Sequence, residues 1–191
     1  LGKVETSGYD LGINWLGLET GVGRFGANWQ MTYTADYEAI STDTGLAEPR
    51  GVGVEVTDSG IPRWRSSLAL TWSLQEWRAS WTFRYIDSLT ESCGGSDNGN
   101  RDLGTCSNPN AGPIVDSSGP SGQNHLGAVV YNDVRLSWTL PIKTPINIAG
   151  GVNNLFDKDP PVCITCSLNG YDASTYDLPG QFWYLEATVR F

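Results

Sequence analysis

Cys163 and Cys166 stand three positions apart, the spacing of a redox dithiol or of half a zinc site. No second such pair accompanies them. Cys93 and Cys106 bring the count to four, two in each of two stretches rich in Gly, Ser, Asn and Asp, which fits two local disulfides in an oxidising compartment. The disulfide reading is preferred, because one CxxC with neither a helix nor a second ligand pair falls short of a metal or redox centre. His125 is the sole imidazole and no Gly-x-Ser-x-Gly motif exists, so a nucleophile and its base lack their parts. No catalytic residue, cofactor or metal is expected. The chain has 21 Asp and Glu against 12 Lys and Arg and a formal charge of -9, the wrong sign for a phosphate backbone. Nucleic acid is excluded as a partner on that ground.

The elements that must position these groups follow from where the acids lie. Stretches 41–62, 87–127 and 157–180 hold thirteen of them against Arg50, Arg101 and Lys158, while all eight Trp fall in the nearly neutral segments between. Residues 24–38 alternate without exception: Phe25, Ala27, Trp29, Met31, Tyr33, Ala35 and Tyr37 on one side, polar residues or Gly on the other. That period of two marks a strand with two unlike faces. Similar alternation starts at Tyr9, Trp64, Trp77 and Val130, where Asn132 interrupts the apolar row, and shorter strands occupy 146–156 and 181–191. Seven strands are predicted, and no run of about 18 apolar residues offers a membrane helix.

Short turns near 18–22, 74–76 and 141–145 alternate with connections of roughly 20 to 40 residues. An antiparallel transmembrane β-barrel has that asymmetry; a soluble β-sandwich has no reason for it. Trp15, Phe25, Trp72, Trp77, Trp138 and Phe191 lie beside the short turns, and Tyr9, Tyr37, Trp64, Tyr85 and Trp183 toward the long connections, as two interfacial girdles. The opposite face carries Asp10, Asp36, Arg65, Arg84, Asp133, Arg135 and Glu186, which suits a polar lumen. Seven strands leave two open edges in a medium that cannot satisfy them, so a segment of a larger barrel is expected.

Two motifs near the C-terminus carry a resemblance. Gly151-Val-Asn-Asn-Leu-Phe-Asp-Lys-Asp-Pro-Pro161 resembles the penultimate-strand motif of TonB-dependent outer-membrane receptors, and Tyr176-Asp-Leu-Pro-Gly-Gln-Phe-Trp-Tyr184 resembles the start of their last strand, where Arg commonly replaces Gln181. Ser7-Gly-Tyr-Asp-Leu11 and Pro62-Arg-Trp-Arg65 extend the likeness. It implies that residues 1–191 are the C-terminal part of one barrel domain of about 22 strands, with the plug outside this chain. It also implies energised uptake of a siderophore, vitamin or saccharide across the Gram-negative outer membrane. Expected partners are membrane lipid and lipopolysaccharide, the rest of the barrel and plug, the TonB-type coupling complex and a small nutrient. Trp183, Leu185, Ala187, Val189 and Phe191 resemble the signal read by the barrel-assembly machinery, an unpaired amphipathic strand suited to β-augmentation.

Residues facing the lumen or loops near the outer end are the ligand-contact candidates: Asp36, Glu38, Arg65, Arg84, Asp133, Tyr171 and Tyr176. The acidic loops suit cation capture, although solvated loops beside divalent-bridged lipopolysaccharide are the preferred reading. The alternatives are a barrel of another class, passive channel or enzyme, and a soluble β-sandwich carbohydrate-binding module.

Overall fold

A computed structural model describes residues 2–40, 42, 45, 51–56, 58–93, 106–111, 122–142 and 144–189. Seven long strands form one antiparallel meander: β1 (Lys3–Thr20), β2 (Gly23–Ile40), β4 (Trp64–Leu74), β5 (Trp77–Ile86), β8 (Val129–Leu140), β9 (Ile146–Asn153) and β10 (Phe182–Val189), in that spatial order. β1 and β10 are its edges, each with one hydrogen-bonded neighbour, and the sheet is open.

Pairing keeps the two faces in register. One cross-strand row runs Trp15, Ala27, Leu70, Trp81, Val134, Val152, Trp183 across all seven strands. A single slip would turn a whole strand over, so this alternation fixes the register. The row begins beside a short turn and ends near a long connection, the stagger that inclined barrel strands require. Among the described residues no second layer covers this face: Trp183 is 68% exposed and Leu185 81%. Where Ser66 and Asn132 interrupt this face, each accepts an indole N–H: Trp29 Nε1 donates to Ser66 Oγ at 2.8 Å, and Trp81 Nε1 to Asn132 Oδ1 at 3.2 Å. The opposite face is knitted by polar pairs such as Thr32 to Asp10 and Arg135 to Glu186.

The first turn is tighter than the sequence suggests. Register shifts between Trp15 and Leu18, where Gly17 has φ of 100°, so pairing continues to Thr20 opposite Gly23 and only Gly21 and Val22 turn. A β-bulge absorbs the extra residue and breaks the alternation that marked the strand end. Aromatic bands form at both ends: Trp77 stacks on Trp138 by the short turns, and Tyr9, Tyr33 and Trp64 adjoin at the other end.

The long connections are not plain loops. β3 (Val54–Glu55) pairs parallel with β6 (Leu89–Ser92), which pairs antiparallel with β7 (Gln123–Leu126), giving a three-stranded satellite sheet. Strands of two to four residues are too short to display a period. Beneath this sheet lies a compact hydrophobic cluster: Ile86, Leu89, Leu126, Val129, Tyr131, Cys163, Cys166 and Tyr176. Each fully buried Leu or Val in it contributes about 1.5–3 kcal/mol.

Candidate functional site at the long-connection end

Three connections, after β2, β5 and β9, meet over the ends of the strands and are joined chiefly through carboxylates. Glu91 of β6 is fully buried and holds the loop 163–166 from beneath. Its Oε1 accepts from Asn124 Nδ2 and the Ile164 N–H, both at 2.7 Å, and its Oε2 from the Thr165 N–H at 2.9 Å and Thr165 Oγ1 at 2.8 Å. Four donors meet the charge, which is why it tolerates burial. Cys163 pairs with Cys166 in that loop, and Cys93 with Cys106 across the middle connection.

A second buried pair joins the first and third connections. Glu55 of β3 is 1% exposed and Asp172 is fully buried. The Ser59 N–H donates to Glu55 Oε1 at 3.0 Å; Ser174 and Gly60 N–H groups donate to Asp172 at 2.7 and 3.3 Å. Burial first, then its hydrogen bond with Asp172, pushes Glu55 up to about 7 from 4.5. Burial also pulls Asp172 upward, but hydrogen bonds from Thr175, Ser174 and Glu55 outweigh it and hold that carboxyl below 3.8. Burial and the neighbouring carboxylate thus favour a proton on Glu55, which would lie between it and Asp172; once ionised, Glu55 leaves Oε2 without a donor. Glu55 and the sulfurs of Cys163 and Cys166 also present ligand atoms within 4.8 Å of one another, but both sulfurs are in a disulfide and neither is a thiolate.

Arg84, on the polar face of β5, makes the third link. Its Nε donates to Asp133 Oδ2 at 2.7 Å and Nη2 to Asp133 Oδ1 at 3.2 Å, while Nη1 and Nη2 reach Asp177 at 3.1 and 2.5 Å. The guanidinium also lies 5.1 Å from the centre of the Tyr131 ring. Asp133 accepts in addition from the Asn154 N–H at 2.9 Å. A planar, forked cation thus ties a neighbouring strand to the last loop.

A family model described as TonB dependent receptor-like, beta-barrel, matches residues 1–155. The chain belongs to this family. The match spans β1 to β9 and ends before the motif at 176–184. No curated protein matches the chain. The family is one of receptors and transporters rather than enzymes, and membership implies a Gram-negative outer membrane and coupling to TonB. In such a barrel the long connections are the outer loops and the apolar face meets lipid. The structure is an all-β, open portion of that wall.

Within this TonB-dependent receptor barrel, Arg65, Arg84, Asp133 and Tyr176 come together under the loops. Arg65 Nη2 lies 3.4 Å from Thr175 Oγ1, and Tyr176 is buried beside Glu55 and Asp172. Tyr171 sits in a tight turn bridged to Leu168. Asp36 and Glu38 lie apart, in a recess of about 580 Å³ shared with Glu5, Ser7 and Arg63. Asp36 there accepts from Ser7 Oγ at 3.1 Å. Trp183, Leu185, Ala187 and Val189 line the exposed lipid face of β10; Phe191 lies outside the described residues. His125 is exposed within β7. Sequence reasoning missed Glu55, Glu91 and Asp172 as a set. Their partners are far along the chain, and only the repeated placement of acids in facing loops hinted at them.

Proposed function

We propose that this chain supplies wall strands and outer loops of an energised importer for a scarce nutrient, a siderophore, vitamin or saccharide. The match over residues 1–155 carries the reading. In this reading residues 1–191 are the C-terminal part of a barrel of about 22 strands around a plug, and the coupling complex acts through that plug. Charges and aromatics at the outer end, Asp36, Glu38, Arg65, Arg84, Asp133, Tyr171 and Tyr176, meet the ligand. The exposed row on β10, continued to Phe191, is read by the assembly machinery, and the apolar face meets lipid and lipopolysaccharide. Cells with and without the receptor gene, supplied with labelled ferric siderophore, cobalamin or oligosaccharide, test it. Uptake of one class that needs both the gene and the proton-motive force is expected. Gene-dependent uptake that survives a protonophore would mean a passive channel instead.

A further inference from the structure

We propose that Glu55, Asp172 and Tyr176, where the loop between β2 and β4 meets the loop between β9 and β10, form a binding site for a hard divalent cation of the calcium type. Three observations converge there. First, Glu55 and Asp172 are at most 1% exposed and adjoin each other, whereas Glu91 nearby is neutralised by four donors. Glu55 has one backbone donor, on Oε1. Second, Glu55 Oε2 and Tyr176 Oη are buried with no hydrogen-bond partner, and Glu55 and Asp172 are the charges that act most strongly on that phenol. Buried orphan oxygens are costly and rare in native proteins. Third, Gly60 lets the backbone pack directly against this pair: a β-carbon there would collide with Glu55 Oε2 and Leu89 and press on Thr175 Oγ1 at 3.0 Å.

A proton shared by Glu55 and Asp172 satisfies Glu55 and leaves Tyr176 Oη as it was. A single cation takes several oxygens at once, those of Glu55, Asp172 and Tyr176, with Thr175 Oγ1 and water in reach. The donors select its class. All are oxygens, and the neighbouring sulfurs are locked in a disulfide, so a thiophilic ion gains nothing. Calcium accepts irregular oxygen cages, whereas magnesium keeps its waters and demands octahedral geometry. Loop sites outside the cell work at roughly 0.1–1 mM affinity, matched to the surrounding concentration. Bound there, the ion cross-links two outer loops beside the Arg84 junction.

The test uses the full-length receptor purified in detergent and stripped with chelator, at pH 8. Hydrogen exchange of the amides of residues 53–61 and 172–176 is followed while calcium is added. Calcium at millimolar levels is expected to slow that exchange at least tenfold. Glu55→Gln mimics the protonated carboxyl and keeps the fold, yet removes the response; Tyr176→Phe weakens it; Asp159→Asn, at an exposed acid, leaves it intact. No protection by calcium at pH 8, with protection appearing on acidification alone, would overturn the proposal in favour of a shared proton. A calcium response that survives both Glu55→Gln and Tyr176→Phe would equally overturn it, as would a preference for zinc that appears only after disulfide reduction.

Discussion

Arg84 on β5 grips two carboxylates from different parts of the chain, Asp133 on the adjacent β8 through Nε at 2.7 Å and Asp177 of the last loop through both terminal nitrogens. The first contact belongs to the wall and the second to the loops, so one guanidinium couples the rigid sheet to its cap. The lumen-facing register Arg84 opposite Tyr131 places the phenol ring against the same cation.

Replacing Arg84 with Met should free the last loop while leaving the sheet folded. Hydrogen bonds to charged groups are worth about 1.5–3 kcal/mol, and the partial exposure of this triad places it at the lower end. Limited proteolysis should then cut within 154–181 several-fold faster, with the strands still resistant. Asp177→Asn should reproduce most of the effect and add little to Arg84→Met, because both break one junction. Unchanged cleavage in either variant would show that the loop is held elsewhere.

Glu91 should guard the Cys163–Cys166 disulfide. Cys163 is fully buried, and the two loop amides beside it donate to Glu91. A thiolate must reach sulfur for exchange, so reduction requires the loop to lift. Glu91→Ala leaves those donors unpaired, at about 1–3 kcal/mol, and should accelerate reduction of this bridge by dithiothreitol roughly five-fold or more. Mass spectrometry after timed alkylation reads it. Equal rates in wild type and variant would remove the guarding role.

The sheet was legible because its signal is local. Fifteen alternating residues from Arg24 to Glu38 name β2, and the same rule finds its neighbours, since period-two burial on one face is written in consecutive positions. Trp15 and Leu18 show where the rule stops: a bulge shifts the register without changing composition. The cap was opaque for the opposite reason. Glu91 is satisfied by Ile164 and Thr165, and Glu55 lies against Asp172, contacts that arise only once the meander has brought loop ends together. An acid in a Gly- and Ser-rich stretch reads as solvated, and nothing adjacent to Glu55 or Glu91 says otherwise. Arg84 and Asp133 were readable as inward-facing residues on neighbouring strands; their third partner, Asp177, was not.

The Glu55–Asp172 pair gives the cap a pH dependence in cation-free buffer. Glu55 titrates near 7 when the cap is closed and near 4.5 as an ordinary carboxyl, so the closed state binds the extra proton between these values. Closure is therefore fully favoured below about pH 4.5 on this account and loses about 2–3 kcal/mol as pH rises through 7. Asp172 is shifted downward from 3.8 and acts oppositely, its contribution being present above that value and lost on further acidification. Protection of the Gly60 amide, corrected for intrinsic exchange, should peak between these limits. Glu55→Gln should flatten the fall toward pH 8, and a flat wild-type profile would refute the shared proton.

The two faces of the sheet should differ sharply in their tolerance of charge. Leu70, 43% exposed and away from both ends of β4, lies in the row from Trp15 to Trp183 that faces lipid. A basic residue at mid-membrane on that face costs about 2–4 kcal/mol, whereas lumen positions bear charge readily. Thr82 on β5 points to the other side, opposite Asp133. Leu70→Arg should lower the folded, heat-modifiable fraction in outer membranes and the urea midpoint for refolding into lipid vesicles. Thr82→Lys places its charge beside a carboxylate and should leave both close to wild type. If the two variants fold equally well, the apolar row does not face lipid, and the sheet must be covered by protein on that side instead.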